Sequence, residues 1–174
     1  SANKDKKYFL YAVTQRDFVN MHFYGVETFY EFYENLKFID DAAQKNKLSF
    51  VIKLHPNLSK LINNLKLSFK NIDFSNKPIQ KLLSNSIATI SFSSTAIDDS
   101  ICSNVPVVLF DPWSRYNHNF YKKNNKALNY VNNKNKFLKK IQQIKNLKKI
   151  NFDKYIFSGN FKNNINQKVL NLVQ

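Results

Sequence analysis

The segment from Ile87 to Asp111 constrains this chain most. It reads Ile-Ala-Thr-Ile-Ser-Phe, then Ser93-Ser94-Thr95, then Ala-Ile-Asp-Asp-Ser-Ile-Cys-Ser, then Pro106-Val-Val-Leu-Phe. Two β-rich apolar runs around a short helical stretch predict strand, helix, strand. The hydroxyl turn falls where the first strand hands over to the helix. Free backbone N–H groups, the positive helix end and three hydroxyls meet there, which suits an anion. The simpler use of the same turn is a helix N-cap.

The rest of the chain repeats the alternation. Residues 8–13 predict a first strand, followed by a long loop at 14–26. Phe29, Phe32, Tyr33, Leu36, Ile39 and Ala43 recur at helical spacing up to Asn46. Residues 48–54 predict a second strand that Pro56 stops. A short helix through Leu58–Leu65, a brief strand near 71–74 and a helix after Pro78 complete the set. The order β-α-β-α-β-α-β-α-β predicts one Rossmann-like, doubly wound parallel sheet over residues 1–174. Asn104 stands where a helix ends in a left-handed residue. Cys102, alone in the chain, is expected in the core.

Charge is divided unevenly. Residues 1–111 carry 13 Lys+Arg and 11 Asp+Glu, a balance of +2; residues 112–174 carry 14 and 1, a balance of +13. A genome rich in A and T explains many lysines but not the missing acids. Residues from about 122 onward form a basic helical tail. Phe137, Leu138, Ile141 and Ile144 give it a helical stripe with lysines opposite. Such a helix either packs on the sheet or lies on an anionic membrane surface. Nucleic acid is not expected, because no zinc-finger spacing, RNP signature or arginine cluster occurs.

Candidate chemistry collects where strands end. His55 leaves the second strand directly before proline and suits a phosphate contact or acid–base work. Ser93, Ser94 and Thr95 are the anion turn. Asp98, in the first turn of the next helix, suits a ribose or sugar hydroxyl. It cannot form an acid–base dyad with Asp99, because adjacent side chains diverge by about 100°. Thr14 and Arg16 follow the first strand; Asp111, Arg115, Tyr116 and His118 follow the last of the set. These six are the candidate base or sugar pocket. Only Gly25 and Gly159 occur, so Walker, G-x-G-x-x-G and G-x-S-x-G loops are excluded. The three histidines have no metal-ligand spacing and no metal is expected.

Lys53-Leu54-His55-Pro56, the Leu-rich segment after it, and strand–Ser93-Ser94-Thr95–helix–Pro106-Val-Val-Leu-Phe110 together resemble a known group. It is the C-terminal, donor-binding half of GT-B-type glycosyltransferases of bacterial surface-polysaccharide synthesis. Kdo-type capsule transferases and the CDP-glycerol glycerophosphotransferases of teichoic acid synthesis are the nearest in style. The resemblance covers residues 48–120.

It implies that His55, Ser93, Ser94 and Thr95 contact the donor diphosphate, that Asp98 holds ribose or sugar, and that no cofactor is needed beyond the nucleotide-sugar substrate. It implies a missing N-terminal acceptor domain, an inactive isolated chain, and a cytoplasmic protein held peripherally at the inner membrane face. Two features depart from the pattern: Asp98 stands where many relatives carry Glu, and Asn104 stands in place of the usual glycine. Alternatives are polyol-phosphate transfer from a CDP-activated donor, a nucleotide-sugar epimerase, and a basic module binding nucleic acid or acidic polymer.

Overall fold

A computed structural model describes residues 7–13, 29–92, 94–114, 127–147, 150 and 152. Among them six parallel strands form one sheet: β1 (Tyr8–Ala12), β2 (Phe50–Lys53), β3 (Asp73–Ser75), β4 (Ser86–Ser91), β5 (Val107–Phe110) and β6 (Leu128–Val131). Their spatial order is β3-β2-β1-β4-β5-β6. Helices α1 (Phe29–Asn46), α2 (Ile62–Ser68), α3 (Ile79–Leu83), α4 (Ala96–Cys102) and α5 (Lys134–Lys145) complete the described elements, with a 3-10 turn at Pro56–Leu61 before α2.

The strands alternate between two cores because successive side chains leave a strand on opposite faces. Phe9 and Tyr11 of β1, Phe50 and Ile52 of β2, and Val108 and Phe110 of β5 meet α1 and α5 on one face. On the other, Leu10 meets Leu82 and Leu83 of α3, while Val107 and Leu109 meet Ile97 and Ile101 of α4. Every residue of β5 is buried, as a strand covered on both faces requires.

Most predicted elements form within a few residues of their expected limits. Asn104 has φ 56° and closes α4 in the left-handed region. Two expectations change, and one choice between alternatives is settled. The predicted set stops at five strands; the sheet has a sixth, β6, whose run Leu-Asn-Tyr-Val is short and carries a buried polar residue. Cys102 is exposed, because Ala96, Ile97, Ser100 and Ile101 form the inward side of α4 and leave it outside. The lysine-rich helix α5 packs on the sheet: Phe137, Ile141 and Ile144 are buried in the core, and the Phe137 ring centroid is 4.4 Å from that of Phe110. Its apolar stripe is therefore closed to lipid. No helix among the described residues is long and apolar enough to cross a membrane.

Candidate functional site

The strand order places a topological switch between β1 and β4. From β1 the chain moves to β2 and β3 on one side; from β4 it moves to β5 and β6 on the other. Ligands of open parallel sheets bind in the crevice at the carboxyl ends of the two switch strands. Here Ser91, the last residue of β4, is buried and its Oγ donates to the carbonyl of Ala12, the last of β1, at 3.4 Å.

Ser94 stands just past the end of β4 and is half-buried. Its Oγ accepts from the Ala96 N–H at 3.2 Å, and its carbonyl accepts from the Ile97 N–H at 3.0 Å. Ser94 thus starts α4 as a local cap. Its hydroxyl proton is not used in accepting, so the same group retains a donor for a ligand. Thr95 is exposed, has helical φ and ψ, and makes no side-chain capping bond. Asp98 is exposed on the first turn of α4, and Asp99 is half-buried beside it.

Behind the turn lies a polar brace that the sequence reading missed. Ser100 of α4 and Thr89 of β4 are both fully buried, and their hydroxyls are 2.7 Å apart. Ser100 Oγ also bonds the Ala96 carbonyl. This couples the first turn of α4 to the strand beneath it. A hydroxyl four residues after the helix start, on the side of Ile97 and Ile101, is the sequence signal for it.

His55 follows β2, which pairs with the opposite side of β1. It is half-buried, and its carbonyl accepts from the Leu58 N–H at 2.8 Å, opening the 3-10 turn that begins at Pro56. Lys53, just before it, is half-buried; its Nζ donates to the Leu54 carbonyl at 2.8 Å. Burial pushes its ammonium pKa below the usual lysine value. His55 and Ser94 therefore follow β2 and β4, the two strands that pair with β1 on its two sides.

Asp111 occupies a different environment from its neighbours in the predicted pocket. It is fully buried at the end of β5 and accepts from the phenol of Tyr130 on β6 at 3.1 Å. Its carbonyl also accepts from the Ser114 N–H at 3.1 Å, closing the turn that carries Trp113. Thr14, Arg16, Ser93, Arg115, Tyr116 and His118 lie outside the described residues. A groove of about 590 Å³ opens elsewhere, lined by Tyr8, Val51, Asp73, Ser75, Lys77 and Lys81 among others. It runs back to Tyr8 and Asn85 at the amino ends of the strands, away from the switch.

No family model matches this sequence and no curated protein matches it. Solved structures do match its fold. Methanocaldococcus jannaschii UDP-GlcNAc 2-epimerase, in complex with UDP-GlcNAc and UDP, aligns with 97% of this chain and 46% of its own at TM-score 0.60 and 16% identity. S. aureus TarM, in a complex that includes UDP, aligns with 84% of this chain and 30% of its own at TM-score 0.53 and 19% identity. E. coli heptosyltransferase WaaC with ADP aligns with 81% and 45% at TM-score 0.55 and 8% identity.

The fold is a Rossmann-like half of the GT-B architecture. The chain spans less than half the length of each of these neighbours. The strand order puts the switch crevice at the carboxyl ends of β1 and β4, and His55 and Ser94 follow the strands on either side of β1.

Proposed function

We propose that this chain is the donor-nucleotide half of a glycosyltransferase of bacterial surface-polysaccharide synthesis. It binds a nucleotide-sugar and presents it for transfer to a glycan or lipid-linked acceptor. The observation that carries the reading is the placement of His55 and Ser94 on either side of the β1 end, at the switch between β1 and β4.

The chemistry follows from those two positions. Breaking the bond between the sugar and the diphosphate leaves negative charge on the departing oxygen. Groups already aimed at that charge lower the barrier more than they tighten binding of the intact donor. His55 supplies an imidazole N–H on one side. Ser94 supplies its unused hydroxyl proton on the other, with Thr95 and Ser93 beside it in the turn. Asp98 accepts from ribose or sugar hydroxyls. Thr14 and Arg16 after β1, and Arg115, Tyr116 and His118 after β5, are assigned to the base or sugar pocket; Asp111, buried just past β5, anchors that strand end. The acceptor domain and the general base belong to another part of the protein, so residues 1–174 alone bind donor without transferring it.

Neighbours of the same fold, solved with UDP, UDP-GlcNAc or ADP, support a nucleotide as the ligand. The long alignment with an epimerase supports one second reading, a nucleotide-sugar epimerase half. A thermal-shift panel of UDP, CDP, CMP, ADP and their sugar or polyol conjugates tests the proposal. A native-state ligand raises the apparent melting temperature. A shift with at least one nucleotide, lost in His55→Ala, is the expected result. No shift with any of them overturns it. With the complete protein, acceptor-dependent release of nucleotide separates transfer from epimerisation.

A further inference from the structure

Helix α1 ends just before β2 begins, so it runs back along the sheet and its first turn stands at the carboxyl edge. Tyr30 lies in that turn and is 66% exposed. Trp113 lies in the turn after β5, at the same edge, and is 40% exposed. The two ring centroids are 6.3 Å apart and the ring planes are tilted by 55°. The strand between β1 and β5 is β4, so this pair stands beside the β1–β4 switch. The neighbouring rings of α1 are engaged elsewhere: Tyr33 packs on Phe69, and Phe29 on Phe32.

We infer that Tyr30 and Trp113 form a stacking platform for a sugar ring at the rim of the switch crevice. Two exposed rings from elements far apart in sequence meet here, and the turn that carries Trp113 is fixed. Asp111 at its start is buried and bonded to Tyr130, and the Asp111 carbonyl accepts from the Ser114 N–H. Ser114 itself has φ 52°, in the left-handed region that a residue with a Cβ enters only at a cost. Such local strain persists where the surroundings hold it, and it collects at ligand sites. The turn is therefore built to hold Trp113 against Tyr30 while leaving both rings open to solvent.

The chemistry of the pair selects the ligand. A pyranose carries C–H groups on its ring faces and hydroxyls around its rim. The face of an aromatic ring is electron-rich and attracts those C–H groups, while the Tyr hydroxyl and the indole N–H meet the rim. Both side chains are rigid, so stacking costs them little freedom. A protein partner needs about 1,000 Å² of buried surface or more, far beyond what two rings supply. A nucleobase is flat and stacks on a single plane, whereas these rings meet at 55° and present a bent surface. The inference rests on the transferase reading only for which sugar arrives, the donor's own or the end of an acceptor glycan.

Trp113 is the only tryptophan in the chain, so tryptophan emission reports on this platform alone. The full 174-residue chain is titrated with UDP, UDP-glucose, UDP-N-acetylglucosamine, and maltose and chitin oligosaccharides. The expected result is a larger emission change with at least one sugar-bearing ligand than with UDP. A response to nucleotide-sugars alone assigns the platform to the donor sugar; a response to free oligosaccharide assigns it to the acceptor glycan. By calorimetry, Tyr30→Ala and Trp113→Ala each weaken the responding ligand by about threefold to tenfold, the worth of one aromatic contact. Tyr30→Phe and Trp113→Phe keep most of the affinity, because a ring remains to stack. Both side chains are exposed, and an unchanged melting curve confirms the fold. An equal response to UDP, no response to any sugar-bearing ligand, or full sugar affinity in both alanine variants overturns the inference. Thermal shifts with nucleotides keep the two readings apart. A nucleotide shift without a sugar response sinks the platform alone. An oligosaccharide response without a nucleotide shift sinks the donor reading and leaves the platform standing.

Discussion

Tyr130 donates its phenol proton to Asp111 across the pair β5–β6, Oη to Oδ2 at 3.1 Å. The bond ties the last strand of the sheet to the turn that leaves β5. It also gives Asp111, itself a sequence candidate for the base or sugar pocket, a structural duty just past β5.

Tyr130→Phe therefore costs about 1–2 kcal/mol, the loss of a hydrogen bond to a buried carboxylate. Its effect on pH dependence is distinct. Burial first, then the Asp111 charge and the hydrogen bond, raise the Tyr130 pKa above the ordinary 10.0. In the unfolded chain the phenol ionises near 10; in the folded chain it keeps its proton to higher pH. The resulting stability is complete below about 10 and is lost as pH rises through the folded value. Denaturant titrations between neutral and alkaline pH check this. Wild type loses more stability than Tyr130→Phe above about pH 10, and equal slopes argue against the bond.

The two roles of Ser94 can be separated from that of Thr95. Ser94→Ala removes a cap and costs about 1 kcal/mol in the ligand-free protein. Thr95→Ala leaves stability within about 0.5 kcal/mol, because its hydroxyl is exposed and caps nothing. Both changes reduce the nucleotide thermal shift if the turn grips phosphate. A full shift in Ser94→Ala restricts that residue to capping.

Phe137 distinguishes a packed α5 from a peripheral one. It is fully buried against Phe110 and Phe38. Phe137→Ala is expected to cost about 3–5 kcal/mol, as for other buried aromatic truncations. Urea unfolding measures it. A change below about 1 kcal/mol places the helix outside the cooperative core.

Much of the candidate site was legible in the sequence, but only as separate pieces. The strand–turn–helix at Ile87–Cys102, the strand end at His55 and the left-handed Asn104 are local features, each written in adjacent residues. The Ser100–Thr89 brace was not legible, since nothing in a helix sequence says which strand residue its hydroxyl will meet. Cys102 was misplaced for a similar reason. An apolar flank suggested burial, and the rotation of α4 about its axis decided otherwise.

By itself the sequence determined an alternating α/β chain, a hydroxyl turn at a strand end, a histidine after another strand, and an acid-poor later third. Periodicity and turn chemistry act over a few residues and do not depend on what packs against them. The tertiary structure decided the order β3-β2-β1-β4-β5-β6, and with it the placement of β2 and β4, which His55 and Ser94 follow, on either side of β1. It also decided the sixth strand, the burial of Asp111 beneath Tyr130, and the turning of α5 inward with its lysines outward. These depend on long-range pairing and on which faces are left to cover, and that competition is settled only when the whole sheet has formed.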